Sequence, residues 1–143
     1  MRLESTMLRR LQVKFSMKRH CRSLRPGDRL AVLIEEVENS PGNPVYPVLD
    51  GEGHLLGIVY LERVLKAMLK HNEFDFLLIY DVMENPPEIL NPDDDLAKAM
   101  AAFDLYRVDV LPVCSNDGVF QGLLEKTPIF SKYRCMVKET ENF

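Results

Sequence analysis

"NPVYPVLDGEGHLLGIV", residues 43–59, reads as strand, turn, strand. "YPVL" is a short apolar strand, and "DGEG" supplies residues that tolerate positive φ in a tight hairpin turn. "LLGIV" returns as the second strand, with Gly57 where another backbone or a ligand can approach closely. The same arrangement recurs at residues 108–124, "VDVLPVCSNDGVFQGLL", with "LPVC", "NDG" and "FQGLL" in the corresponding places and Gly122 in the second strand.

The repetition extends upstream of both hairpins. Met17 and Met83, Leu24 and Leu90, Pro26 and Pro92, Asp28 and Asp94, and Leu30 and Leu96 all match at an offset of 66. Past the next helix the offset becomes 65, and Pro47 meets Pro112, Val48 Val113, Gly53 Gly118, Gly57 Gly122 and Ile58 Leu123. One inserted residue reconciles the halves, so the chain is an internal repeat, and self-similarity of this kind decides the architecture.

Each half also carries helices. "RPGDRLAVLIEEV" and "NPDDDLAKAMAAFDLY" open on a proline and acidic residues ahead of an apolar run. Carboxylates there cap free backbone N–H groups and complement the helix dipole. Leu96, Ala99, Met100 and Phe103 recur at helical spacing, which predicts one buried face. After the first hairpin, "LERVLKAMLKH" predicts a helix with Val64, Leu65, Met68 and Leu69 on its apolar side. After the second, Pro128 is expected to interrupt the helical signal before "IFSKYRCMVKE". The unit is strand–helix–strand–strand–helix, too small to cover its own sheet and helices, so two are expected to pack together.

Composition sets the class. The chain has 143 residues, 46% hydrophobic and 28% charged, without tryptophan, an ordinary soluble globular balance. Cys21, Cys114 and Cys135 are far apart and odd in number, which argues for a reducing compartment rather than a disulfide framework. No stretch approaches the ~18 apolar residues of a membrane span.

Charge is unevenly spread: residues 1–30 hold nine basic side chains against Glu4 and Asp28, a local +7, leaving −11 for the rest. A basic segment before an acidic body can meet nucleic acid or anionic lipid, or be a solvated linker. Nucleic-acid binding needs a stacking platform or recognition helix, and neither is evident. Attraction of residues 2–29 to anionic headgroups is the more physical partner reading.

The β-α-β-β-α repeat, with "SLRPGDRL" and "ILNPDDDL" ahead of the two hairpins, resembles the tandem CBS domain pair, or Bateman module. The resemblance implies an α/β (α+β) fold of two such repeats packed as a pseudo-twofold pair. It places a basic linker or helix at 1–12, repeat 1 at 13–70, a linker at 71–78, repeat 2 at 79–137 and a tail at 138–143. "LESTMLRRLQVKFSM", "FLLIYDVM" and "ENSPGNPVYPVLD" look more narrowly like the cytoplasmic CBS pairs of prokaryotic CLC chloride channels. That implies a C-terminal piece on the cytoplasmic face of the inner membrane, joined to a channel domain, with the basic residues leaving the membrane. Such pairs commonly associate again, so a homodimer is expected.

The resemblance implies a regulatory module, and an adenosine nucleotide (ATP, ADP or AMP) is the ligand it would lead one to expect in clefts between repeats. The family's ribose motif is a glycine, two hydrophobics, Thr or Ser, two variable residues and Asp. Here the first copy is "GIVYLER", with Tyr60 in the Thr/Ser place and Arg63 in the Asp place. The second is "GLLEKTP", with Glu125 and Pro128 there, so neither copy keeps the hydroxyl–carboxylate pair. Tyr60 offers a stacking face and Arg63 a phosphate partner, whereas Glu125 repels phosphate and Pro128 has no polar group. The resemblance therefore makes Arg22, Ser23, Tyr46, Pro47, Tyr60 and Arg63 the candidate first cleft. A weaker second cleft comprises Glu88, Ile89, Leu111, Pro112, Glu125 and Pro128.

Other chemistry finds little support. Asp93, Asp94 and Asp95 point in different directions at a helix start, and capping explains them better than a metal. His20 beside Cys21 has no partner at ligand spacing, and His54 and His71 are expected in solvent. No nucleophile with a positioned base and no glycine-rich phosphate loop is present, so no enzyme activity is expected. Two readings stay open: a nucleotide-sensing regulatory module, and a structural dimerisation module that has lost its ribose motifs.

Overall fold

The computed structural model describes residues 3–70 and 76–141, with side chains at 6–70 and 76–133. Arg2, His71 and most of the inter-repeat linker lie outside the described residues. The elements in chain order are α1 (Leu3–Leu8), a 3-10 turn (Val13–Phe15), α2 (Leu30–Asn39), β1 (Val45–Leu49), β2 (Leu55–Tyr60) and α3 (Leu61–Lys70). Then follow α4 (Ile79–Val82), α5 (Leu96–Tyr106), β3 (Val110–Cys114), β4 (Phe120–Glu125) and α6 (Lys126–Glu141). The mixed fold of two β-α-β-β-α repeats is the one expected.

The two compact units do not follow the repeat boundaries. Unit 1 is residues 1–20, 87–117 and 121–143; unit 2 is residues 21–86 with 118–120. Each unit combines the body of one repeat with the leading segment of the other, and the bonds that hold the exchanged segments are equivalent. In unit 1, Val13 N–H donates to Asp94 O, Lys14 N–H to Pro92 O, and Leu96 N–H to Leu11 O, at 2.8, 3.0 and 2.8 Å. In unit 2, Ile79 N–H donates to Asp28 O, Tyr80 N–H to Pro26 O, and Leu30 N–H to Leu77 O, at 2.8, 3.0 and 2.9 Å. Every partner is displaced by the same 66 residues.

In unit 2, β1 and β2 pair antiparallel from Val45↔Tyr60 to Val48↔Gly57, with an irregularity at Val48/Leu49. Leu24 lies parallel beside β1 and Glu84 antiparallel beside β2. The first strand of the expected repeat is thus reduced to a single bridge, with Leu24 N–H on Pro47 O and Leu49 N–H on Leu24 O, both at 2.9 Å. Unit 1 repeats this: Leu90 bridges Val113, Lys18 bridges Leu123, and β3 pairs with β4. The turn glycines Gly53 and Gly118 have φ of 87° and 82°, the positive values their positions require. Within unit 2 the two turns meet, Leu55 N–H donating to Gly118 O and Phe120 N–H to Gly53 O.

Gly57 and Gly122 are where backbone comes close, as their place in the strands predicts. A Cβ on Gly57 would lie 3.0 Å from Glu84 O, and one on Gly122 would lie 2.5 Å from Lys18 O. The exchanged segment, rather than a ligand, takes the space.

Two separate apolar cores result. Unit 1 buries Val13, Met17, Leu96, Phe103, Leu111 and Leu124 with their neighbours, and unit 2 buries Leu24, Leu30, Leu33, Tyr46, Val59 and Ile79 with theirs. The α5 face is as expected, with Leu96, Ala99 and Phe103 buried. On α3 the inward stripe is Leu61, Val64 and Met68, at spacings of three and four. Leu65 and Leu69, expected on that side, are 44% and 88% exposed, because each sits about a further 100° round the helix. Pro128 also departs from expectation: it lies within the first turn of α6, where a missing N–H costs no helical bond. The inserted residue belongs to the longer link between α2 and β1, since α5 is longer than α2 by one residue but its link to β3 is shorter.

The capping expectation holds for α5, where Asp95 accepts from Lys98 N–H at 2.8 Å. Asp28 and Asp94 instead close the preceding turn, accepting from Arg25 N–H at 2.9 Å and Asn91 N–H at 2.8 Å. Asp94 also pairs with Lys98, and Asp93 with Lys14 at 3.0 Å, so all three adjacent aspartates are engaged within the protein.

Candidate functional site

The expected residues of the first cleft all belong to unit 2, and the structure divides them. Tyr60 ends β2 and Arg63 lies in the first turn of α3, so the short strand–helix junction sets them on adjacent ground. The Arg63 guanidinium sits over the Tyr60 ring, 4.4 Å from its centroid. Its Nη1 also donates to Glu84 Oε1 in an ion pair. Glu84 is held there from the backbone: Ile58 N–H donates to Glu84 O at 2.8 Å, and Glu84 N–H to Ile58 O at 2.7 Å. Tyr60, Arg63 and Glu84 therefore form one constellation at the end of β2. Burial pushes the Tyr60 phenol above its ordinary value; Arg63 offsets this in part and Glu84 adds to it.

Arg22 and Tyr46 belong to a different cluster. Arg22 Nε lies 3.7 Å from Glu36 Oε2 on α2. Tyr46 is 1% exposed and is a core side chain, because alternation along β1 turns it, with Val48, into the cluster of Leu30, Leu33 and Val59. Its OH and Glu36 Oε2 are buried without a hydrogen bond of normal geometry. Burial raises the Tyr46 phenol, the nearby Asn43 side chain lowers it in part, and Glu36 raises it further. Pro47 is buried in β1, and Ser23 is exposed.

The second set lies in unit 1, and among the described residues no ion pair or ring contact joins its members. Leu111 is fully buried in the core, and Pro112 is buried with its carbonyl accepting from Leu90 N–H. Ile89 is half-exposed, Glu88 and Glu125 are partly buried, and Pro128 is exposed. Cys114, at the end of β3, is buried, and burial pushes its thiol up to about 11, which leaves it inert at neutral pH.

Sequence reasoning missed Glu84. It is 21 residues from Arg63, and nothing local marks the pairing. A signal existed in the repeat: Glu84 follows Met83 as Lys18 follows Met17, so an acid replaces a base at the equivalent place.

The CBS domain family model matches residues 11–70 and 79–127, most of the chain. The chain belongs to the CBS domain family. No curated protein matches the sequence. Among solved structures this CBS pair is similar to a CBS domain-containing protein of unknown function from Bacillus anthracis, with a TM-score of 0.79 and 21% identity over 90% of this chain and 96% of that one. It is also similar to a putative acetoin utilization protein from Vibrio cholerae (TM-score 0.74, 20% identity, 93% and 97% covered). A third is the CBS domain of a bacterial CNNM/CorC family Mg2+ transporter (TM-score 0.76, 15% identity, 91% and 79% covered). At these identities the likeness is one of fold. Among the described residues of the CBS pair, no helix is long and apolar enough to cross a membrane.

Proposed function

We propose that this CBS pair is a non-catalytic regulatory module that senses an adenine nucleotide at the Tyr60–Arg63 end of unit 2 and biases an attached membrane domain of the chloride-channel type. The observation that carries the reading is the placement of an aromatic face and a guanidinium together where the family's ribose motif falls. A ring gives a base or ribose a flat apolar surface, and a guanidinium makes bidentate, charge-assisted bonds to phosphate. Regulation follows if the bound nucleotide prefers one arrangement of the attached domain over another. The homodimer belongs to the same reading, as does contact of the basic residues 2–29 with anionic lipid. A monomeric mass by light scattering refutes the dimer.

The test is titration calorimetry of ATP, ADP and AMP against wild type and Arg63→Ala. The reading expects at least one nucleotide to bind and the substitution to weaken it about tenfold, the size of one charge-assisted contact. Equal binding by both proteins places the ligand elsewhere. One observation favours a second reading, a structural dimerisation module without ligand: Arg63 already has a carboxylate partner inside the protein. Binding of no nucleotide by any form of the protein selects that reading.

A further inference from the structure

The Arg63–Glu84 pair raises a question about the site's own chemistry. A guanidinium that is to receive phosphate here faces a carboxylate, and the two anions compete for one fork. Glu84 is anchored by its backbone, so its carboxylate stays within reach of Arg63. Its backbone is doubly hydrogen-bonded to Ile58, and its carbonyl lies where a Cβ on Gly57 would reach 3.0 Å. The Glu84 side chain is 37% exposed and the Arg63 side chain 62%, so the pair is open to solvent, more so on Arg63's side.

We propose that Glu84 is an internal competitor for the phosphate of an anionic ligand, occupying Arg63 in the empty site and setting the affinity and charge preference of that site. The proposal rests on the nucleotide reading given above. Binding a phosphate there requires Arg63 to exchange a carboxylate for a phosphate, and leaves Glu84 close to the incoming negative charge. The like-charge encounter weakens phosphate-bearing ligands and leaves the neutral nucleoside little affected. Glu84 therefore discriminates by charge, while the Tyr60 face is indifferent to it.

The substitution that tests this is Glu84→Gln, which keeps the side chain's length and the backbone bridge and removes only the charge. Binding of adenosine, AMP and ATP is measured by calorimetry for wild type, Glu84→Gln, Arg63→Ala and the double variant, with thermal midpoints confirming that each is folded. The expected result is that Glu84→Gln tightens AMP and ATP by about tenfold and changes adenosine by less than about twofold, with the gain lost in the double variant. If Arg63→Ala weakens AMP or ATP but Glu84→Gln leaves them within about twofold, the nucleotide site stands and the competitor role is overturned. A gain that persists in the double variant overturns it too, since Arg63 is then not the group released. Failure of AMP and ATP to bind either wild type or Glu84→Gln overturns both the competitor and the nucleotide reading.

Discussion

Gly122→Ala is the substitution that most directly interrogates the exchanged segments. A Cβ at this position would stand 2.5 Å from Lys18 O, 3.2 Å from Lys18 C and 3.4 Å from Met17 Cγ. Two of these are backbone atoms, so no side-chain rotation relieves the clash. To restore ordinary contact the Lys18 carbonyl must retreat by roughly half an ångström or more. Lys18 N–H to Leu123 O and Leu123 N–H to Lys18 O, now 2.8 and 3.0 Å, then stretch toward the limit of hydrogen bonding. Overpacking of a close contact costs about 1–3 kcal/mol, and weakening two backbone bonds adds about 0.5–1.5 kcal/mol each at most. The combined loss is about 2–6 kcal/mol. At Gly57 the nearest atom is Glu84 O at 3.0 Å and the next is the flexible Met83 Sδ at 3.3 Å. Gly57→Ala should therefore cost about 1 kcal/mol or a little more. Urea unfolding of wild type and both variants, followed by circular dichroism, measures the difference. For a chain of 143 residues a loss of 3 kcal/mol lowers the thermal midpoint by about 9–15 °C. Gly122→Ala within about 0.5 kcal/mol of wild type, or milder than Gly57→Ala, would refute the reasoning.

Two further substitutions test local features. Arg107 closes α5 in the left-handed region at φ 53°, its N–H and that of Val108 both donating to Phe103 O. Glycine carries no Cβ penalty in that conformation, so Arg107→Gly should stabilise the protein by about 0.5–1 kcal/mol in the same urea assay, and a loss of stability contradicts the assignment. Asp50 accepts from His54 N–H at 2.9 Å and Glu52 N–H at 2.8 Å, and the bond from the His54 backbone chiefly holds its carboxyl below the usual aspartate value. A depressed folded value means the stabilisation is present above the unfolded value of about 3.9 and is lost as pH falls through the lower folded one. Midpoints recorded from pH 7 to pH 2 should fall less steeply below pH 4 in Asp50→Asn than in wild type, and parallel curves contradict this.

Much of this fold is legible in the sequence because paired residues do paired work. Leu24 and Leu90 make the same parallel bridge, Asp28 and Asp94 close the same turn, and Gly53 and Gly118 take the same positive φ. Each of these is a local requirement for one residue type, so repetition exposes it. The exchange of leading segments is not local. Met17–Lys18 joins β4, and Met83–Glu84 joins β2, across separations that no periodicity encodes. The outward turn of Leu65 and Leu69 is hidden for a related reason, since an apolar helix stripe does not say which edge of itself meets the sheet. The closeness of Tyr60 and Arg63 is legible from their spacing, three residues apart across a strand–helix junction. The burial of Tyr46 is not legible, because alternation along β1 cannot tell which of its faces meets the core. Glu84 reaches Arg63 only through the exchange, so its part in the site became visible with the structure.

The central claim, that this CBS pair senses a nucleotide through Tyr60 and Arg63, is tested most directly by thermal unfolding with and without ATP, ADP, AMP and S-adenosylmethionine at millimolar concentration. A ligand at ~100 times its dissociation constant stabilises the native state by about 2.7 kcal/mol. For a domain of this size that raises the midpoint by about 8–14 °C. The account predicts such a shift with at least one adenine nucleotide, abolished by Arg63→Ala. No shift with any of the four contradicts it and leaves the CBS pair a structural module.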